Sequence, residues 1–113
     1  MIAHIEGILE SKIPTQVVID VSGVGYMLNI SLNTYDELPS KGKLRLFSHL
    51  IVREDAHILY GFFTVLERAV FRLLISVSGI GASIARTMLS SLSPSEIQQA
   101  IGTEDVATIQ GVK

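Results

Sequence analysis

The chain has 113 residues, which is enough for one ordinary domain or two small ones. Because 48% of the residues are hydrophobic, the sequence can build a buried core and is not intrinsically disordered. The net charge of −2 excludes a uniformly basic coat for nucleic acid but allows a local basic face, and the absence of cysteine excludes disulfides, a thiol catalyst and cysteine-ligated metals.

The first 62 residues alternate apolar and polar side chains with a period of two. Val17, Ile19 and Val21 share one face of such a segment, and Leu28 and Ile30 share a face of the next. This alternation predicts strands with one buried face. Turn-forming residues separate five predicted strands at 1–11, 15–21, 25–31, 43–53 and 57–62, with a helical turn near Thr34 to Leu38. Five short strands with one helix after the third predict a small closed barrel of the OB type.

From Phe63-Thr64 onward, the apolar residues recur with the period of a helix. Thr64 and Glu67 have the spacing of a capping box, which predicts a helix closed by Ser78-Gly79, and a second helix follows from Ala82 to Leu92. Ser93 and Glu96 form another such box. This box opens a third predicted helix that ends near Ile101-Gly102, and a fourth covers Glu104 to Gln110. We therefore expect an α+β multidomain fold, with an OB barrel over residues 1–63 and an all-helical domain over 64–113.

The segment around Gly79, Ile80 and Gly81 admits three interpretations. A dinucleotide-binding turn needs a third small residue where Ile84 stands, and a helix cap precedes the segment instead of a strand. A plain tight turn between packed helices and a helix-hairpin-helix both remain open. In the hairpin, backbone amides at the start of the next helix, here Ala82 and Ser83, bind phosphate oxygens and need little positive side-chain charge.

A faint internal repeat favours the helix-hairpin-helix. Ile75 to Ser78 leads into Gly79, and Gln110 to Lys113 resembles the same lead-in after another helix. We therefore expect the sequence to stop just before a second hairpin and to be part of a longer protein.

Glu54 and Asp55 form an acidic tip between the last two predicted strands. Either they are a solvated turn, or their charges repel phosphates and exclude ordinary duplex.

Catalytic motifs are missing from the sequence. There is no phosphate-binding loop of the ATPase type and no nucleophile elbow, and the three histidines lack metal-ligand spacing. We expect no enzymatic activity of the chain on its own, no cofactor and no metal. The start of the chain lacks a signal-peptide pattern, and Leu73 to Ala85 is too short to span a membrane, so we expect a cytoplasmic protein without membrane contact.

The combined pattern resembles the RuvA family, the Holliday junction-binding subunits of the bacterial branch-migration complex. The residues that carry the resemblance are Met1 to Gly7, Gly23 to Tyr26, Val52 to Ala56 with Leu59 to Phe62, and Val77 to Gly81. The resemblance implies a homotetramer, or an octamer of two tetramers face to face, that holds a four-way DNA junction open and square. It further implies a role in DNA recombination, DNA repair and the SOS response to DNA damage, with the ring ATPase RuvB as motor.

The resemblance also assigns the site residues. Glu54 and Asp55 match the acidic pin, which four copies bring to the crossover. Gly79, Ile80 and Gly81, with the amides of Ala82 and Ser83, match the hairpin that grips a minor-groove backbone, and Arg86 adds charge nearby.

Two departures from the family pattern weaken these expectations. Family members often carry Lys where Ser83 stands. The second hairpin and the C-terminal motor-contacting domain would lie beyond Lys113, so we expect weaker DNA binding and no recruitment of the ATPase. The alternative function is an oligomerisation module or a general DNA-binding module without junction selectivity.

Overall fold

The computed structural model describes residues 2–102. Five strands, one short helix and three longer helices follow in this order: β1 (His4–Ile13), β2 (Gln16–Val21), β3 (Val24–Asn29), α1 (Leu32–Glu37), β4 (Lys43–Val52), β5 (His57–Phe62), α2 (Val65–Ile75), α3 (Ala82–Ser91) and α4 (Pro94–Gly102).

The five strands close into a barrel in the order β1-β2-β3-β5-β4, and β4 pairs with β1 to complete the ring. All neighbours are antiparallel except β3 and β5, which meet at Asn29 and Tyr60. Val17, Ile19, Leu28 and Leu46 fill the interior and are fully buried, as the alternation of the sequence predicts. The predicted OB-type barrel is confirmed.

Several predicted boundaries are wrong by a few residues. β1 continues to Ile13, because Ile13 still pairs with Gln16 across the turn to β2. β3 ends at Asn29 instead of 31, since Ser31 leaves the sheet to cap α1, where its hydroxyl accepts a hydrogen bond from the Thr34 amide at 3.1 Å. The first long helix ends at Ile75 and is capped by Ser76, before the predicted stop at Ser78-Gly79.

The three longer helices share one hydrophobic cluster with the last strand of the barrel. Its centre is Phe71 of α2, which is fully buried and lies 5.1 Å from the ring of Tyr60 and 4.9 Å from that of Phe62. Tyr60 and Phe62 both belong to β5, so the last strand of the barrel also forms part of the helical core. Burial of these aromatic rings joins the two parts of the chain.

One of the two predicted capping boxes is confirmed. At the start of α4, the Ser93 hydroxyl accepts from the Glu96 amide at 3.1 Å, and the Glu96 carboxylate accepts from the Ser93 amide at 2.9 Å. At α2, Thr64 accepts from the Glu67 amide at 3.1 Å, but the prediction for the Glu67 carboxylate is wrong, because it turns towards α1 instead.

The predicted helix over Glu104 to Gln110 and the repeat at Gln110 to Lys113 lie outside the described residues. Across residues 2–102, every helix is too short or too polar to cross a membrane.

Candidate nucleic-acid interface

The acidic tip is a tight turn that projects from the barrel. Val52 of β4 pairs with His57 of β5, and the Arg53 amide donates to the Ala56 carbonyl at 2.8 Å, which closes the turn. Glu54 and Asp55 stand at its end with exposed side chains. Within residues 2–102 neither carboxylate forms an ion pair, so both charges are free to act on a molecule that approaches from outside.

The glycine segment forms a tight hairpin between α2 and α3. Gly79 has a φ of +87°, a left-handed conformation that glycine adopts without strain. Gly81 is extended, with a φ of −90°, and is the N-cap of α3. Apart from the glycine itself and its two chain neighbours, no described atom lies within 4 Å of the point where a Cβ would stand on either glycine. The backbone of the hairpin is therefore open to close approach.

The first turn of α3 presents unpaired amides beside these glycines. The first intrahelical bond of α3 runs from the Ala85 amide to the Gly81 carbonyl at 3.0 Å. The amides of Ala82, Ser83 and Ile84 have no acceptor within the helix. No side chain among residues 2–102 caps this end, in contrast to α1 and α2. The positive end of the helix dipole adds to the attraction for an anion.

The tip and the hairpin are anchored in the same hydrophobic cluster. Ile80 lies between the two glycines and is only 7% exposed, with its side chain in the helical core. Ile51 and Ile58, from the two strands that lead to the acidic tip, pack against this same core. The packed side chains therefore fix the two candidate contact elements relative to one another.

Arg86 points towards the barrel. Its guanidinium donates to the carbonyl of Thr15, in the turn between β1 and β2, at 3.2 Å. This bond uses one of the five N–H groups of the arginine. Ser83 is exposed on the first turn of α3.

The arginines of α2, which the sequence suggests are solvated charges, instead form contacts with the barrel. Arg72 donates to His49 Nδ1 at 3.1 Å, and Arg68 donates to the Ala3 carbonyl at 2.7 Å while it lies 5.5 Å from the ring centre of Phe47. Burial lowers the pKa of His49, and the two positive charges lower it further. The contacts join α2 to β4, and the local sequence carries no signal for them.

A second group of polar residues, between α1 and the helices, was also missed. The Glu67 carboxylate is 2% exposed and accepts hydrogen bonds from the hydroxyls of Ser31 and Thr34. Burial raises the pKa of Glu67, whereas these two hydrogen bonds lower it. In the part of the chain that the structure describes, no three His, Asp or Glu side chains gather as metal ligands.

Comparisons with known proteins agree with this architecture. Residues 1–61 match the family model described as the RuvA N terminal domain, and residues 71–113 match a SAM-like helix-hairpin-helix tandem. The chain is 61% identical over 113 residues to the Holliday junction branch migration complex subunit RuvA of Flavobacterium psychrophilum, and 56% identical to that of Christiangramia forsetii. Both alignments cover 100% of this chain and 58% of the relative's length. Since the RuvA model alone matches more than half of the residues, and whole-chain relatives carry the same name, the chain belongs to the RuvA family.

Proposed function

We propose that this protein binds four-way DNA junctions and acts as the scaffold of a branch-migration complex. The observation that carries the proposal is the joint anchoring of an unpaired acidic tip and an open glycine hairpin in one hydrophobic cluster. Two relatives that align along the whole chain are named as RuvA subunits of such a complex. In this proposal residues 1–63 form the unit with the tip, and residues 64–113 form the unit with the hairpin.

The hairpin supplies affinity for the DNA backbone in this proposal. Gly79 and Gly81 allow a phosphate to come close, and the amides of Ala82 and Ser83 donate to its oxygens. The guanidinium of Arg86 adds positive charge with the donors that Thr15 leaves free. Such contacts position the DNA and read no base sequence.

The tip supplies selectivity for a junction. A carboxylate and a phosphate at 4 Å repel one another by about 1 kcal/mol in water, and by more where the surroundings exclude water. In a fourfold assembly the carboxylates of Glu54 and Asp55 meet at the centre. A junction offers an opening there, whereas a continuous duplex would place phosphates against the charges. A homotetramer completes this proposal, and the ring ATPase RuvB acts as the motor through the contact domain that the resemblance places beyond Lys113.

A competition experiment tests the tip directly. The complete chain is offered a labelled four-way junction against linear duplex with the same arm sequences at moderate salt. We expect at least a 10-fold preference for the junction, which corresponds to about 1.4 kcal/mol. Replacement of Glu54→Gln together with Asp55→Asn removes both charges with little change of shape, and should raise the affinity for duplex relative to junction.

The matched control removes two exposed carboxylates elsewhere, by Glu10→Gln together with Asp36→Asn. It changes the net charge by the same amount, so it corrects for general electrostatics. An unchanged ratio of affinities in the tip variant, or an equal change in the control, would contradict the role of the tip.

The second candidate function is a DNA-binding module without junction selectivity. The open amides of α3 favour it, because they recognise phosphate in any duplex. The same experiment separates the two functions, since a general module binds junction and duplex equally well before and after replacement of the tip.

A further inference from the structure

The short helix α1 connects β3 with β4 and lies between the barrel and the helices. One side of it is bound to α2 through a buried carboxylate. The hydroxyls of Ser31 and Thr34 both donate to Glu67. Each hydroxyl oxygen also accepts a backbone amide, from Thr34 and Phe63 respectively, at 3.1 Å in both cases. The hydrogens of both hydroxyls are therefore directed at the Glu67 carboxylate, and the two bonds fix the position of this carboxylate of α2 relative to α1.

The other side of α1 is bound to the end of α3. The amide group of Asn33 donates to the carbonyl of Leu89, and to that of Leu92 at 2.8 Å. The Leu32 amide donates to the Ser90 hydroxyl at 2.9 Å. Leu89 belongs to the last turn of α3, where carbonyls lack partners within the helix, so Asn33 supplies a partner that the helix needs. We call the contacts of α1 with Glu67 and with the end of α3 the α1 seam.

We propose that Glu67 and Asn33 are positioning residues, which act through the α1 seam to fix the barrel and its acidic tip at one orientation relative to the hairpin before α3. This inference rests on the proposed function, because the preference for a junction needs both contact elements at a set spacing. Neither residue belongs to the tip or to the hairpin, so neither touches DNA in this arrangement.

The chemistry of the seam supports this role over a purely stabilising one. Apolar packing at the shared cluster holds the two contact elements together, and the hydrogen bonds of the α1 seam add requirements of distance and angle that packing alone does not impose. A buried carboxylate carries a large desolvation cost, and Glu67 forms no ion pair among residues 2–102 that would offset this cost. The carboxylate of Glu67 fixes the register of α2 against α1, which an apolar side chain at this position does not do.

The experiment measures orientation and selectivity in the same variants. The protein has no cysteine, so Ala56→Cys beside the tip and Thr87→Cys on α3 give a unique pair of spin-label sites, both exposed. Labelled chains are diluted into an excess of unlabelled chains, which leaves one labelled pair in each assembly. Distance distributions are recorded for the parent, for Glu67→Gln and for Asn33→Ala. Junction and duplex affinities are measured on the unlabelled versions.

The matched control is Ile19→Val, a truncation in the barrel core. It loosens apolar packing and removes none of the hydrogen bonds of the α1 seam. We expect both seam variants to broaden the distance distribution and to reduce the junction preference at least threefold, while the control changes neither. Asn33 is only partly buried, so we expect Asn33→Ala to fold and to test the proposal even if Glu67→Gln does not fold.

Two results would overturn the proposal. One is a distance distribution in both seam variants as narrow as that of the parent. The other is a broadened distribution with an unchanged junction preference, which would separate orientation from selectivity. A parent protein without any junction preference would instead contradict the proposed function, and the distance measurement alone would then decide whether the seam fixes the orientation.

Discussion

Replacement of Gly79 by alanine should destabilise the protein through backbone conformation alone. The φ of +87° costs an L-residue roughly 1–2 kcal/mol. The added Cβ meets no described atom within 4 Å, so it adds no steric term. The turn cannot relax cheaply, because the neighbouring Ile80 is buried and its amide donates to the Val77 carbonyl at 3.1 Å.

Thermal unfolding measures this cost. With about 2 cal/mol/K of unfolding entropy per residue, 1–2 kcal/mol over 113 residues lowers Tm by roughly 4–8 °C. Gly79→Asn should recover part of the loss, since asparagine tolerates the left-handed region better. The matched control is Gly81→Ala, where a φ of −90° suits any residue and the loss should stay below about 1 kcal/mol. Equal Tm values for Gly79→Ala and Gly81→Ala would refute the reasoning.

DNA binding by the same two variants provides a second readout. Both alanines add a methyl group to the surface that we propose contacts a phosphate, so both should weaken junction binding. The change at Gly79 should in addition reduce stability by more than the change at Gly81 does. A Gly81→Ala protein that is stable and binds as tightly as the parent would remove the hairpin from the proposed contact surface.

Two further predictions concern stability. Burial raises the pKa of Glu67 above its ordinary value of 4.5, so the folded protein holds a proton more tightly than the unfolded chain. The stability of the parent relative to Glu67→Gln should therefore be greatest below that ordinary value and fall as the pH rises through the raised pKa, in urea titrations at a series of pH values. If the stabilities of the parent and of Glu67→Gln changed with pH in parallel, Glu67 would have the same pKa in the folded and unfolded states, which would contradict the prediction. Gly7→Ala should cost more than about 2 kcal/mol, because its Cβ would lie 2.3 Å from the Asp20 carbonyl oxygen and force two paired strands apart. Gly25→Ala, whose Cβ would lie 3.3 Å from a methyl of Val18, should be tolerated, and chemical denaturation that ranks these two variants equally would contradict the argument.

The barrel and the helices follow from short-range patterns in the sequence. Alternation along β2 and β3 places Val17, Ile19 and Leu28 inside, and the structure buries all three fully. The capping box at Ser93 and Glu96 involves residues three apart, so local sequence was sufficient to predict it. Such features depend on the geometry of one helix or strand, which a sequence of neighbouring residues specifies.

The α1 seam and the hydrogen bond from Arg86 to Thr15 could not be predicted from such short-range patterns. Glu67 meets Ser31 across 36 residues, and Arg86 meets Thr15 across 71. The local capping-box motif even gave the wrong partner for the Glu67 carboxylate. The Glu67 carboxylate accepts from two hydroxyls that themselves accept backbone amides, whereas the capping box assigns it the single amide of the N-cap residue Thr64. Long-range polar pairs depend on the packed fold, so the sequence alone does not reveal them.

The charge distribution is compatible with the proposed binding of DNA by a protein whose net charge is −2. Lys43 and Arg45 on the barrel are the obvious basic residues, but both pair with Glu6, at 3.8 and 3.1 Å. The negative charge of Glu6 partly neutralises their attraction for phosphate, and salt screens the remainder. The hairpin amides keep their donors free without carrying a formal charge. In the proposed function, an acidic tip can then repel phosphates at one place without opposing binding at another, because affinity and selectivity are assigned to separate groups that are anchored in one core.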